Sequence, residues 1–196
     1  MHRIKTGILY LLAAAAFFVL PQAAISADYL IDSKNAHAFI QFKISHLGFS
    51  YILGRFNHFD GTFTYDEKDP AASKVRVTVD VSSVDTNNPE RDKHLRGEKF
   101  FEVKKYPEAA FVSTSYEPTG KGTALLKGKF TLHGVTRPIV IKAKEVGAGN
   151  DPWGGYRRGF VGSVTLALKD YNITTDLGPT AKEAELFLSL EGIRQK

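Results

Sequence analysis

The chain has 196 residues, with 26 Lys and Arg against 21 Asp and Glu, and contains no cysteine. Its formal net charge of +5 is spread along the chain and forms no basic stripe, which argues against a nucleic-acid-binding protein. The lack of cysteine excludes disulfides, thiol chemistry and cysteine-ligated metals, so the fold depends on burial of apolar side chains.

The N-terminal segment has the organisation of a secretory signal peptide. Arg3 and Lys5 precede an apolar run over residues 8–20, which is too short to span a bilayer comfortably, and small residues follow it. Cleavage after Ser26 suits these small residues better than cleavage after Ala27, although the sequence leaves both open. We therefore predict a signal peptide over residues 1–26.

Residues 27–196 are predicted to form one domain, since their number is sufficient for a single sizeable core. A secreted chain of this length without cysteine is typical of bacterial periplasmic proteins. No further apolar stretch approaches the length of a membrane span, so we expect a periplasmic protein without a stable membrane anchor.

Most of this domain alternates apolar and polar residues, the pattern of β-strands with one buried and one solvated face. Strands are predicted near residues 37–45, 55–65, 75–81, 108–117, 122–132, 135–147, 157–169 and 184–193, with a possible short one at 28–32. Eight antiparallel strands joined by short turns fit a closed barrel, and a two-sheet sandwich is the competing architecture. The expected fold class is all-β, an eight-stranded antiparallel β-barrel closed by one or two short helices.

Two segments interrupt the alternation. Residues 45–56 read SHLGFSYILGRF and are interpreted as a short apolar turn or helix. Residues 87–101 read NNPERDKHLRGEKFF and predict a helix with Asn88 as its N-cap, Pro89 in its first turn and Gly97 at its end. A helix this short requires docking against the barrel to persist.

Small residues mixed with phenylalanines at the inward positions favour a cavity over a filled barrel. The residues predicted from alternation to line this pore are Ile40, Phe42, Phe63, Val77, Val79, Phe111, Leu126, Phe130, Ile139, Ile141, Val164, Leu166, Leu186 and Leu188. The residues expected to close its ends are Leu47, Phe49, Leu53, Leu95 and Phe100.

Signatures of catalysis are weak. The chain has no GxSxG elbow, no phosphate-binding glycine loop and no histidine spacing typical of a zinc site, so neither a metal nor a cofactor is expected. Asp92 and His94 form a candidate acid–base pair with Asp85 nearby, but residues two apart point to different sides of a helix. A structural role for this segment is the favoured interpretation. Trp153 and Arg157 are candidates for contact with an anionic head group.

Several motifs give the sequence a family resemblance: SVDTNNPERDKHLR, YPEAAFVSTS, FTLHGVTRPI, DPWGGYRRGF and LKDYNITTDLGP. Together they resemble the YceI family of periplasmic proteins over nearly the whole predicted domain. The resemblance implies a lipocalin-like barrel whose elongated hydrophobic pore holds an isoprenoid lipid, such as a quinone or a prenyl phosphate.

The resemblance further implies a protein that is not an enzyme and that serves lipid carriage, storage or stress-related sequestration. Two alternatives stay open: a periplasmic hydrolase or isomerase using His94 and Asp92, and a ligand-free structural stress protein. The identity of the lipid and a possible homodimer are likewise left open by the sequence.

Overall fold

The computed structural model describes residues 26–35 and 37–196; apart from Ser26, the predicted signal peptide lies outside these residues. The strands are β1 Ala27–Ile31, β2 Phe39–His46, β3 Ser50–Phe56, β4 Phe59–Tyr65, β5 Lys74–Asp80, β6 Val84–Asp85, β7 Glu108–Gly120, β8 Thr123–Leu132, β9 Val135–Asn150, β10 Tyr156–Ala167 and β11 Glu183–Arg194. The described residues contain one α-helix, α1 Pro89–Arg96, and 3₁₀ turns at Pro70–Ala72, Val81–Ser83 and Leu168–Tyr171. None of the helices in these ranges combines the length and the apolar character needed to cross a bilayer.

The strands form a closed eight-stranded antiparallel barrel, which confirms the predicted fold class. The ring runs β1-β4-β5-β7-β8-β9-β10-β11 and closes through pairing of β1 with β11. The N-terminal half of β11 pairs instead with β2. Strand β2 then pairs with β3, and β3 pairs with β6. The pairs β1/β2, β3/β4 and β5/β6 therefore behave as three long strands, each interrupted by a bend.

Residues 45–56 differ from their prediction, because they form the end of β2, a tight turn and the whole of β3 rather than a helix. The backbone amide of Phe49 donates to the carbonyl of His46 at 3.0 Å. Both residues between them have positive φ, 53° at Leu47 and 79° at Gly48, as in a turn of type I′. The ladder resumes with His46 opposite Ser50, so residues 47–49 form the connection. Glycine adopts this conformation readily, whereas leucine is strained in it.

Helix α1 confirms the predicted boundaries. The side-chain oxygen of Asn88 accepts a hydrogen bond from the amide of Arg91 at 3.0 Å, Pro89 opens the helix and Gly97 follows its last residue. The helix and the segment after it cover the end of the barrel where β2, β8 and β10 finish and β7 and β11 begin.

The opposite end of the barrel is filled by stacked aromatic rings. Tyr29 and Phe63 stack with ring centroids 4.6 Å apart, and Phe160 meets Phe63 edge-on at 5.6 Å. The guanidinium of Arg158, only 4% exposed, lies 4.2 Å from the centroid of the Tyr65 ring and binds Glu67 and Glu145. This aromatic plug closes one end of the interior and leaves the end beneath α1 as the place for an opening.

An apolar cavity beneath the helix

A cavity of about 840 Å³ lies inside the barrel beneath α1. Its walls are apolar side chains from the covered end of the barrel, from α1 and from the segment that follows α1. These side chains are Ile40, Phe42, Ile44, Ile52, Phe56, Val79, Leu95, Phe100, Phe101, Ala109, Phe130, Leu132, Leu166, Leu168, Tyr171, Ile173, Leu177, Ala184 and Leu186. Charged groups of Arg91, Lys93, Glu98 and Lys99, with His94, lie at the mouth.

A smaller void of about 60 Å³ continues deeper into the barrel. Ile40, Val79, Phe130 and Leu186 line both spaces and therefore form the constriction between them. Together the cavity and the void follow the barrel axis toward the aromatic plug, so the interior is elongated and open toward one end only.

Nearly all of the side chains predicted to line a pore face one of these two spaces. Those at the larger cavity are Ile40, Phe42, Val79, Phe130, Leu166 and Leu186. Those at the deeper void alone are Val77, Phe111, Leu126, Ile139, Ile141, Val164 and Leu188. Phe63 is the exception, because its ring belongs to the aromatic plug, stacked on Tyr29 and lying over Gly192.

The cover differs in part from the sequence prediction. Leu95 and Phe100 line the cavity from above, as expected. Leu47, Phe49 and Leu53 do not close it, because they are 54%, 87% and 66% exposed on the turn and the outer face of the β2–β3 hairpin. Strand β3 is apolar on both faces, so its alternation does not indicate which face is buried.

The predicted head-group contacts lie at the end of the barrel opposite the cavity mouth. Trp153 is 75% exposed, and Arg157 lies at the start of β10, beyond the aromatic plug. The Arg157 guanidinium donates to Asp32 at 2.8 Å, to Asp151 at 2.7 Å and to Glu191 at 2.5 Å. Hydrogen bonds to Asp32 and Asp151 raise its pKa further above its ordinary value. Arg157 is therefore an internal counter-ion to three carboxylates.

The same cluster contains three side chains whose ligand atoms lie close enough together to bind a metal ion: Asp32, His37 and Glu191. One guanidinium nitrogen of Arg157 donates to both carboxylates of this group, and His37 Nδ1 lies 3.0 Å from Asp32. The positive charge that a metal ion would supply is therefore supplied by arginine.

The candidate acid–base residues are not brought together as a catalytic group. Asp92, 8% exposed, accepts hydrogen bonds at one oxygen from the Thr86 amide at 2.9 Å and the Thr86 hydroxyl at 2.5 Å. The Asp85 carboxylate instead accepts from Arg55 at 3.0 Å, and its pKa is lowered chiefly by the Asn87 amide and by Arg55. His94 is exposed at the cavity mouth.

A groove of about 870 Å³ also lies on the barrel wall, where the β9–β10 ladder ends at Lys142 and Ser163. Charged residues Arg137, Lys142 and Asp170 line it beside apolar Ile139 and Leu166. This mixed lining suits an apolar ligand less well than the cavity beneath α1.

Sequence reasoning missed several cavity residues. Ile44 and Ala184 lie within the strands predicted at 37–45 and 184–193, on the same faces as Phe42 and Leu186, but were not included among the predicted lining residues. Ile52 was missed because residues 50–56 were interpreted as a turn or helix rather than a strand. Phe56 lies within the strand predicted at 55–65 but was not included as a lining residue. Tyr171 and Ile173 come from a 3₁₀ turn and the loop after it, where no period marks the inward side.

A closed antiparallel barrel with an apolar interior open at one end defines the lipocalin-like class. The YceI-like domain model matches residues 29–191, and the chain belongs to that family. UPF0312 proteins from Pseudomonas aeruginosa are 55% identical over 192 residues, which covers 98% of this chain and 100% of theirs. A UPF0312 protein from Shewanella sp. strain MR-7 is 54% identical and covers 94% of this chain and 98% of its own.

Solved structures share the fold. The Campylobacter jejuni YCEI protein has a TM-score of 0.70 and 27% identity, covering 78% of this chain and 91% of its own. Burkholderia cenocepacia BcnA has a TM-score of 0.72 and 21% identity, with coverage of 82% and 98%. A polyisoprenoid binding domain from Saccharophagus degradans, implicated in plant cell wall breakdown, has a TM-score of 0.63 and 15% identity, with coverage of 85% and 98%.

Proposed function

We propose that this protein is a periplasmic lipid-binding protein that holds an isoprenoid-type lipid in the cavity beneath α1. The cavity itself carries the proposal: about 840 Å³ of apolar space, closed at one end and continuing into a deeper void. Its size lies within the range of roughly 300–1,000 Å³ typical of pockets for small ligands. The role is carriage, storage or stress-related sequestration of the bound lipid.

The physical chemistry of the cavity suits a prenyl chain. An isoprene unit has about five carbon groups, and burial of each contributes about 0.8 kcal/mol, or roughly 4 kcal/mol per unit before ordering costs. A few buried units therefore provide tight binding without many polar contacts. The constriction of Ile40, Val79, Phe130 and Leu186 marks the path of such a chain toward the deeper void.

The polar end of the ligand belongs at the mouth of the cavity rather than at Trp153 and Arg157. Lys93, His94 and Lys99 are exposed there. The ammonium groups of Lys93 and Lys99 suit a prenyl-phosphate head group by charge, or donate hydrogen bonds to the carbonyls of a quinone, while the tail is buried.

The fold relationship supports the same assignment. The Saccharophagus degradans domain of this fold is described as polyisoprenoid binding, and the proposal extends that ligand class to this chain. The periplasmic location rests on the signal-peptide pattern of residues 1–26.

Binding without catalysis is the favoured activity. The hydrolase or isomerase alternative needs a free carboxylate beside His94, whereas Asp92 is buried and bound to Thr86. The ligand-free alternative needs a filled barrel, which an apolar space of about 840 Å³ does not favour.

Two neighbouring residues of β11 provide a matched test. Leu186 lines both the cavity and the void, while Phe187 points outward and is 45% exposed. We expect the Leu186→Trp variant of delipidated protein to lose affinity for a prenyl quinone by about tenfold or more, because the larger ring fills the constriction. The Phe187→Trp variant should bind like wild type. Equal affinities of all three proteins, with folding verified by circular dichroism, would overturn the proposed site.

A further inference from the structure

The tip of the β2–β3 hairpin carries large apolar side chains that are exposed to solvent. Leu47 is 54% exposed, Phe49 87%, Tyr51 63% and Leu53 66%. Tyr51 and Leu53 lie on the outer face of β3, and Leu47 and Phe49 lie in the turn that precedes it, so the four side chains form an exposed apolar ridge at this end of the hairpin. Exposed apolar patches of this kind mark interaction surfaces.

The backbone at the tip strengthens this interpretation. Leu47 occupies a left-handed conformation, φ 53°, in a turn whose central positions favour glycine or asparagine. Its side chain lies over Gly178, and the Ser45 hydroxyl donates to the Thr180 hydroxyl at 3.1 Å, so the loop before β11 supports the hairpin. The fold therefore holds a strained leucine and an exposed phenylalanine at a protruding turn.

The ridge is continuous with the mouth of the cavity. Ile52 and Phe56, on the opposite face of β3, line the cavity, and Leu177 of the supporting loop lines it too. Among the described residues β3 pairs on its outer side only with β6, at Arg55 and Phe56, so its remaining edge is free. One strand thus presents apolar groups to the cavity and to the surroundings.

Polarity along the hairpin changes with distance from the tip. Leu47 and Phe49 come first, followed by Tyr51, whose ring lies 5.0 Å from the ammonium of Lys43. Lys43 and Arg55 are paired with Glu185 and Asp85 at 2.6 Å and 3.0 Å, further along the strands. An apolar tip backed by an amphipathic aromatic and then by charges matches the polarity profile of a bilayer interface.

We propose that the β2–β3 hairpin docks on a phospholipid bilayer, with Leu47 and Phe49 inserted among the acyl chains. This orientation places the cavity mouth at the membrane surface, and Lys93 and Lys99 at the mouth meet anionic head groups. An apolar lipid then moves between bilayer and cavity with little exposure to water. The inference rests on the proposed lipid-binding function but concerns a different surface.

The sole tryptophan of the chain makes the tip directly observable. In a Trp153→Phe background, Phe49→Trp places the only indole at the tip, and Val146→Trp is the matched control. Val146 is also largely exposed, at 70%, but lies on β9 near the plugged end. We expect vesicles of phosphatidylethanolamine and phosphatidylglycerol to shift the Phe49→Trp emission to the blue, and brominated lipids to quench it. Val146→Trp should respond to neither.

A sedimentation assay on the same vesicles gives the second readout. Phe49→Asp should weaken vesicle association by about tenfold or more, whereas Val146→Asp should not. Unchanged emission of Phe49→Trp would overturn the proposal, even if the apolar N-terminal segment binds vesicles. The proposal would also be overturned if the blue shift appeared without vesicles, increased with protein concentration and came with a doubled mass. The tip would then bind a second copy of the chain rather than a bilayer.

The lipid content of each preparation separates the two proposals. Extracted lipid together with an unresponsive tip refutes docking alone. An inserted tip on a protein that never retains lipid refutes the binding function alone.

Discussion

Replacement of Asp92 tests whether this buried carboxylate holds the fold together or serves catalysis. Asp92 is 8% exposed and accepts hydrogen bonds from the amide and the hydroxyl of Thr86. The Arg91 side chain joins the same group, because it donates to the Thr86 hydroxyl and to the Thr86 carbonyl, both at 2.7 Å. This network fixes the start of α1 against the end of β6 and so fixes the cover of the cavity.

The magnitude follows from the two hydrogen bonds. A hydrogen bond to a charged group contributes about 1.5–3 kcal/mol, so Asp92→Ala should lower the free energy of unfolding by roughly 3–6 kcal/mol. For a chain of this size that corresponds to a decrease in melting temperature of about 6–24 °C. Asp92→Asn keeps one oxygen as acceptor and should cost about 1–2 kcal/mol.

Urea unfolding followed by circular dichroism measures these differences. Glu90→Ala is the matched control, since Glu90 is exposed on the same helix and its replacement should change stability by less than about 0.5 kcal/mol. An Asp92→Ala protein as stable as wild type would refute the structural assignment. His94→Ala should keep the stability and the bound lipid of wild type. A hydrolase or isomerase activity that wild type shows and His94→Ala lacks would support the enzyme alternative.

Two further predictions concern acid stability and chain length. Burial alone would raise the pKa of Asp32, but hydrogen bonds from Arg157, His37 and Asn35 outweigh it and lower the pKa to about 2. The unfolded value is about 3.9, so this carboxylate stabilises the fold by roughly 2 kcal/mol above about pH 4 and loses that contribution as the pH falls toward 2. As the pH falls from about 4 to 2, the free energy of unfolding should decrease by roughly 2 kcal/mol more in wild type than in Asp32→Asn. If the free energies of the two proteins fall in parallel with pH, the assignment is contradicted. For prenyl quinones of increasing length, affinity measured by competitive binding should rise by at least about tenfold per isoprene unit and then level off once the interior is full. Affinity independent of length would mean that the tail does not enter the cavity.

The alternation of apolar and polar residues predicted most of the strands and many of the side chains that line the cavity. In β5, Val77 and Val79 face inward while Arg76 and Thr78 face outward, as a period of two requires. The helix signals at Asn88 and Gly97 were equally informative, because capping depends on local sequence.

The failures have local physical causes. Phe63 lies on the inner face but near the plugged end, where Tyr29 and Phe160 fill the interior, and alternation carries no information on depth along the barrel. Leu53 belongs to a strand that is apolar on both faces, and so the buried face was not defined.

The position of Arg157 could not be predicted for a different reason. The three carboxylates that bind Arg157 come from residues 32, 151 and 191, and only the closed barrel brings them together. A local pattern identifies an arginine but not the acids that neutralise it. The same holds for the cavity mouth, which the positions of α1 and β3 create.

The central claim, that the cavity holds an isoprenoid lipid, is tested most directly by organic extraction and mass spectrometry of protein purified from its native cells. We predict about one prenyl-chain lipid per protein in wild type and in Phe187→Trp, and little or none in Leu186→Trp. Wild-type protein that yields no lipid, or an equal yield from Leu186→Trp, would contradict the account.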